Sequence, residues 1–257
     1  AKTRPPVVGT RKQNLAHQPL PGRRLQTQVQ EPRPRDIRAR HPRVSHQPHH
    51  QRIAHVLAAL DGARLRQQGC LFGGGTCIAL RHGEYRESVD IDFLVSDAAG
   101  YRELRQLLTG LDGLAPITRP GATPLELARE VRADQYGIRT QVRMDGHAVK
   151  FEIVREARIA LQSPQPQDQL CGVGTLTLLD LAASKLLANS DRQADEGVFS
   201  RDVIDLAMMS LTLPQLRAAL VIATEAYGAA ISRDLAKAID RLQDRLGWLD
   251  RCMQAMA

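Results

Sequence analysis

The first 52 residues contain no Phe, Tyr or Trp and a single serine, Ser45, yet hold eight of the chain's 14 prolines and five of its eight histidines. A stretch so poor in apolar surface cannot offset the entropy of ordering, which excludes a packed domain there and predicts a disordered, Pro/Arg-rich arm over 1–52. Long apolar runs are also missing. The nearest approach, Ala218 to Ile231, is interrupted by Glu225 and is better explained as a core helix than a membrane span. The four cysteines, Cys70, Cys77, Cys171 and Cys252, have no CxxC spacing, so neither a disulfide framework nor a zinc site is expected. No apolar block follows the positive N-terminal stretch, which fits neither a secretory signal nor a transit peptide; the expected location is the cytoplasm.

The chain carries 35 Lys and Arg against 28 Asp and Glu, a formal net charge of +7 over 257 residues. Its distribution is uneven. Residues 1–52 hold 12 basic and 2 acidic side chains, a net of +10, which leaves −3 for residues 53–257. The basic character thus belongs to the arm, and the folded part does not advertise a nucleic-acid surface in bulk, although Arg81, Arg86, Arg102 and Arg105 offer a local basic face.

From Ile53 the pattern changes. Ile53, Val56, Leu57, Leu60 and Leu65 recur at helical spacing and predict an amphipathic helix ending near Gly69. The short apolar piece Cys70-Leu71-Phe72 then runs into Gly73-Gly74-Gly75-Thr76, and Cys77 to Leu80 follows as a helical turn. Val89 to Val95 reads as a strand, Ala99 to Leu108 as a helix. After a Gly/Pro-rich connection, Tyr136–Arg143 and His147–Val154 flank Asp145-Gly146 as a hairpin. A polar segment, Gln162 to Gln169, separates this α/β core (53–161) from a helical lobe (162–257), with helices expected near Leu176–Asn189, Ser200–Leu211, Pro214–Tyr227 and Ala229–Leu246. The fold class is α+β.

Two features carry chemistry. Three consecutive glycines between a strand and a helix let backbone N–H groups approach an anion, and the helix N-terminus favours negative charge. The run lacks both GxxxxGK[ST] and GxGxxG spacing, so P-loop and dinucleotide readings are poor. Asp90 and Asp92, two residues apart on one strand, project from the same face and repel unless a cation neutralises them. Glu152 on the second hairpin strand, on the same face as Lys150, completes a three-carboxylate site if that strand pairs beside the first. On the helices, Lys185 and Arg192 lie two turns apart, opposite Arg201, Asp202 and Asp205; interhelical ion pairs Lys185–Asp205 and Arg192–Asp202 are the simplest reading of these charges.

The order glycine turn, short helix, Asp-x-Asp strand resembles the nucleotidyltransferase fold of polymerase β-like enzymes. The stretch Phe72-Gly73-Gly74-Gly75-Thr76 through Leu80-Arg81-His82-Gly83, then Arg86-x-Ser88-x-Asp90-Ile91-Asp92-Phe93, is similar to the first motif of AbiEii/AbiGii-type nucleotidyltransferases, toxin halves of some toxin–antitoxin and phage-exclusion systems. Lys185 to Arg192, preceded by Asp180-Leu181, matches that family's KLxAxxxR-like helix, and Arg201-Asp202-Val203-Ile204-Asp205-Leu206 its following helix. An extra glycine precedes the usual Gly-Gly-Thr, and the resemblance spans about 53–210.

The resemblance implies transfer of an NMP from an NTP to an acceptor hydroxyl, with Asp90 and Asp92 holding Mg²⁺, or alternatively Mn²⁺, and Glu152 a further ligand or base. It implies that Gly74, Gly75 and Thr76 cradle phosphates, Lys185 binds the triphosphate, and Asp202 and Asp205 orient Lys185 or touch the nucleotide; Ser88 and Arg192 are further nucleotide contacts. It also implies a tRNA 3′ end or a protein as acceptor and a cognate antitoxin as partner. Two rivals share these residues: an antibiotic-modifying nucleotidyltransferase, and a catalytically inert binding protein of the same fold.

Overall fold

The computed structural model describes Ala1 and residues 47–256, the latter within one compact unit. The arm expected over 1–52 lies, for residues 2–46, outside the described residues. Its last residues are part of the fold: α1 spans Pro48–Ala59, five residues ahead of the expected start, with His50 and Arg52 buried. Proline at the first helical position costs no hydrogen bond, so Pro48 starts this helix rather than breaking it. The single helix expected to run to Gly69 is two. Leu60 is extended, and Asp61 caps α2 (Gly62–Gln67) by accepting the Arg64 N–H through Oδ1 at 3.0 Å.

A five-stranded mixed sheet follows, built from β1 (Leu71–Phe72), β2 (Ile91–Val95), β3 (Leu127–Ala133), β4 (Gly137–Met144) and β5 (His147–Arg155). Its order is β1-β2-β5-β4-β3, with β2 and β5 parallel and the other pairs antiparallel. The hairpin around Asp145-Gly146 is β4–β5, and both turn residues take positive φ, as such a two-residue turn requires. β3 is not legible by alternation: its side chains are mostly half-buried or exposed, and register shifts interrupt its pairing. The expected strand Val89–Val95 begins only at Ile91, so Asp90 stands just ahead of it.

One face of the sheet is apolar. Phe72, Phe93 and Phe151 are fully buried on three adjacent strands with ring centroids 5.6 Å apart, each burial contributing about 1.5–3 kcal/mol. On β2 and β5 the alternate residues, Asp92, Leu94, Glu152 and Val154, take the opposite face. That face meets α3 (Gly74–Arg81) and the helices of the C-terminal part. α4 (Ala98–Leu108) packs on β2, and a two-stranded ribbon of β6 (Gln169–Leu170) and β7 (Val173–Gly174) leads to α5 (Leu178–Arg192).

α5 is the central helix. It packs against α6 (Arg201–Met208), α7 (Leu213–Tyr227) and α8 (Ala230–Asp244), and α9 (Trp248–Ala255) closes on α8. α9 lies beyond the helices legible from periodicity. α7 starts with a capping box formed by Thr212 and Gln215. Among the described residues no helix is long and apolar enough to cross a membrane. All four cysteines are free thiols, and burial pushes the pKa of Cys70 and Cys77 upward.

Candidate active site

Between the polar face of β2–β5 and helix α5 lies a cleft of about 340 Å³. Its floor carries Asp92, Leu94, Glu152 and Val154, and Asp90 stands at its edge. Its roof is one face of α5, with Leu181, Ser184, Lys185, Ala188 and Arg192. The N-terminus of α3, at Gly74 and Gly75, forms a wall. The parallel register sets Asp92 directly beside Glu152.

The glycines are required by close approach. Gly74 has φ +68°, and a Cβ there would stand 2.6 Å from Oδ2 of Asp92. A Cβ on Gly75 would lie 2.1 Å from Nη2 of Arg86. The backbone of the turn thus lies against both the acidic pair and a buried guanidinium, as only glycine permits. Gly74→Ala is expected to lower the melting temperature by a few degrees and any activity seated in the cleft roughly hundredfold, since small misplacements cost that much. Gly121→Ala, also at positive φ but with open space around the added methyl, is the control: comparable backbone strain with activity kept.

The three carboxylates on the floor differ in their partners. Oε1 of Glu152 accepts from Nε of Arg139 at 2.6 Å, and its Oε2 lies 2.8 Å from Nζ of Lys150. Burial alone would raise its pKa, but these two cations outweigh that and hold it below the usual range. Asp90 and Asp92 have no hydrogen-bond or ion-pair partner among the described residues. Burial, reinforced by the charges of Asp90 and Glu152 and only partly offset by Lys150 and Lys185, pushes Asp92 up to about 6. Among the described residues no group of three or more His, Cys, Asp or Glu side chains could hold a metal ion; Glu152 stands beside Asp92 in register but is paired with Arg139 and Lys150. What remains is a pair of hard oxygen donors with no cation in direct contact among the described residues. This fits Mg²⁺, which keeps several waters and takes one or two carboxylates together with substrate phosphates.

Opposite the pair, Lys185 is almost fully buried, with Nζ 3.0 Å from Oδ1 of Asp202 and 2.6 Å from Oδ2 of Asp205. Each carboxylate has further cations. Asp202 receives Nε and Nη2 of Arg192 at 2.6 and 2.8 Å. Asp205 receives Nε and Nη2 of Arg86 at 2.8 and 3.0 Å and the Tyr85 hydroxyl at 2.5 Å. Burial opposes ionisation at both, but Arg192 and Lys185 bring Asp202 down to about 2, and Lys185 and Arg86 lower Asp205. The ion pairs read from the sequence are present, joined into one network by Lys185.

The sequence is matched over residues 55–254 by the family model described as the nucleotidyl transferase AbiEii toxin of type IV toxin–antitoxin systems. The chain belongs to the AbiEii nucleotidyltransferase toxin family. It is accordingly a nucleotidyltransferase, and its mixed sheet with flanking helices is the α+β nucleotidyltransferase fold expected from the Asp-x-Asp motif. Among solved structures it is similar to JHP933 from Helicobacter pylori, at 12% identity and TM-score 0.39, over 79% of this chain and 97% of that one. A candidate nucleotidyltransferase from H. pylori follows at 13% identity and TM-score 0.33, over 73% and 97%. No curated protein matches the sequence.

The AbiEii motifs divide between the cleft and its support. Gly74, Gly75, Ser88, Asp90, Asp92, Glu152, Lys185 and Arg192 line the cleft. Thr76, Asp202 and Asp205 do not: they are buried, Thr76 with its hydroxyl 2.7 Å from that of Ser88, the aspartates behind Lys185. Of the two roles expected for Asp202 and Asp205, the contact with Lys185 is the one present, and the Thr76 hydroxyl expected at the phosphates faces Ser88 instead. The basic face expected from Arg81, Arg86, Arg102 and Arg105 does not form. Arg86 is buried on Asp205 and Arg81 turns to Asp168 and Thr175, leaving Arg102 and Arg105 exposed on α4. Arg86 and Tyr85 were missed as site residues, although the Arg86-x-Ser88 spacing ahead of Asp90 was a usable signal. Arg158 was missed too; it lines the cleft, held by Glu156, Asp191 and the Tyr227 hydroxyl.

Proposed function

We propose that this chain transfers an NMP from an NTP to the 3′ hydroxyl of an RNA, with tRNA the acceptor and a cognate antitoxin its partner in the cell. The observation that carries this reading is the pairing of two unpartnered carboxylates, Asp90 and Asp92, with the Gly74–Gly75 helix start and Lys185 around one cleft. Asp90 and Asp92 are the residues that would hold Mg²⁺, with Mn²⁺ as the substitute. When bound, the cation offsets the charge that builds on the phosphoryl oxygens during transfer. The free N–H groups at the start of α3 bind phosphate oxygens. Lys185 supplies a fixed positive charge, kept in place by Asp202 and Asp205 before substrate arrives, which makes its contribution preorganised. The acceptor hydroxyl attacks the α-phosphorus and gives its proton to solvent, while the α–β phosphoanhydride bond breaks and pyrophosphate departs.

A polyanionic acceptor is supported by Arg201, which is exposed at the cleft, opens α6 and has no ion-pair partner among the described residues. Glu152, neutralised by Arg139 and Lys150, is a counter-ion rather than a metal ligand in this reading.

The test is to incubate the protein with each labelled NTP, Mg²⁺ and, separately, total tRNA, a bacterial lysate's proteins and an aminoglycoside. Label at tRNA 3′ ends, lost in Asp90→Ala and in Lys185→Ala, is the expected result. Label on protein or on the drug alone assigns the acceptor to those classes instead, and no Mg²⁺-dependent turnover with any of them returns the chain to an inert binding protein. Expression in a bacterial host is expected to arrest growth, and Asp92→Ala to relieve the arrest.

A further inference from the structure

The loop between α3 and β2, residues 83–90, delivers Ser88 and Asp90 to the cleft and has no secondary structure of its own to fix it. It is held at several points. Tyr85 and Arg86 are pinned to Asp205, and the Glu87 N–H donates to the Met256 carbonyl at 3.1 Å. Further contacts come from the first turn of α1, upstream of the stretch that matches the family, which starts at residue 55. Nε2 of His49 lies 2.9 Å from Oε1 of Glu87. His50 is fully buried, and its Nε2 accepts the Ser88 backbone N–H at 3.2 Å. That acceptance assigns the proton to Nδ1, which faces Oε2 of Glu84 at 3.3 Å as an electrostatic approach rather than an aligned hydrogen bond.

We propose that His50 is a positioning residue for the acidic pair: its imidazole fixes the backbone at Ser88, two residues before Asp90, and so sets where that carboxylate meets the cleft. The catalytic bearing of this inference rests on the nucleotidyltransfer reading above; the backbone part does not. The Ser88 N–H cannot take a ladder partner, because β2 starts only at Ile91, so without His50 it must find water or remain unpaired. The Ser88 hydroxyl is already engaged with Thr76. A side chain that the composition assigns to a Pro/Arg-rich arm therefore reaches under the motif that defines the site. His50 acts through the loop and touches neither the cleft nor the acidic pair, so its effect is on placement rather than on chemistry.

The experiment compares full-length His50→Gln, whose side-chain carbonyl can take the place of Nε2, with His50→Phe, which fills similar space and accepts nothing. Amide hydrogen exchange at Ser88 is followed without metal or nucleotide. In His50→Gln protection stays within about threefold of wild type, and in His50→Phe it falls by about tenfold or more, while the amides of β5 stay protected in both. The second readout is transfer activity: His50→Phe lowers kcat and raises the Mg²⁺ concentration needed for half-activation, with the NTP KM little changed, and His50→Gln restores both. Equal Ser88 exchange in Phe and Gln variants overturns the hydrogen bond. Lost exchange protection with Mg²⁺ activation unchanged overturns the link to the acidic pair. If wild type turns over no NTP, the exchange result still decides the backbone claim, so failure of this inference and of the functional reading remain distinguishable. Should His50→Phe melt globally, seen as loss of β5 protection, His50→Leu takes its place beside His50→Gln; the same global loss in His50→Leu overturns a local role.

Discussion

Asp92→Asn is expected to abolish transfer, by about a thousandfold or more, and at the same time to make the metal-free protein more stable. The two effects have one origin. Asp92 is buried beside Asp90 and Glu152, and its pKa is raised from 3.8 to about 6. An acid whose pKa is higher in the folded state binds more protons there than in the unfolded chain at intermediate pH. Its contribution to stability is therefore largest below pH 3.8 and is lost as pH rises through about 6. A shift of that size corresponds to about 3 kcal/mol at most by neutral pH. Asparagine keeps the shape and has no charge to desolvate, so thermal melts at pH 8 without divalent cations show a rise of several degrees. The wild-type loss of stability between pH 4 and 6 is absent from the variant. Added Mg²⁺ narrows the difference by stabilising wild type alone, since a ligand that binds only the folded state stabilises it by mass action. Full activity in Asp92→Asn, or a melting temperature below wild type across the pH range, would place the reacting centre elsewhere.

Asp205→Ala has the opposite signature, a large loss of stability. Asp205 is completely buried and accepts from Arg86 and Tyr85 while pairing with Lys185 at 2.6 Å. Its removal leaves the Arg86 guanidinium and the Lys185 ammonium, both nearly inaccessible to solvent, with too little compensating charge. Stripping one partner from such a buried set costs about 3–5 kcal/mol, a large share of the roughly 5–15 kcal/mol that holds a domain folded. A fall in melting temperature on the order of 10 °C is expected in denaturation experiments. Lys185→Met should be milder in stability, because Asp202 keeps Arg192 and Asp205 keeps Arg86, yet as damaging to activity. Acid titration gives an independent check. With the pKa of Asp202 lowered to about 2 and that of Asp205 also depressed, both contribute stability above the unfolded-state value of 3.8, and this is lost as pH falls toward 2. Asp205→Ala should flatten that acid limb. An unchanged melting temperature would show that the network does not hold the helices as described.

The site was legible where local chain geometry is enough. Residues two apart on a strand share a face and residues seven apart on a helix share a side, so Asp92 with its floor neighbours and Lys185 with Arg192 follow from spacing. The Asp145-Gly146 hairpin was legible because a two-residue turn needs residues that accept positive φ. β3 was not, since an edge strand with shifted register and half-exposed side chains leaves no alternating pattern. The start of α1 was hidden because its buried first turn is Pro-His-His, which composition counts as polar arm.

The amino-acid order by itself determined the motif set, the α+β class, the Asp90-x-Asp92 pair and the shared side of Lys185 and Arg192, because each depends on neighbours close in sequence. Tertiary structure decided which charges are spent. Arg139 and Lys150 engage Glu152 on adjacent strands, and Arg86 is drawn inward by an aspartate 119 residues away. His50 comes to rest under Ser88. Those outcomes turn on which elements pack together, and an ionic or hydrogen-bonding partner across that distance leaves no periodic trace in the chain.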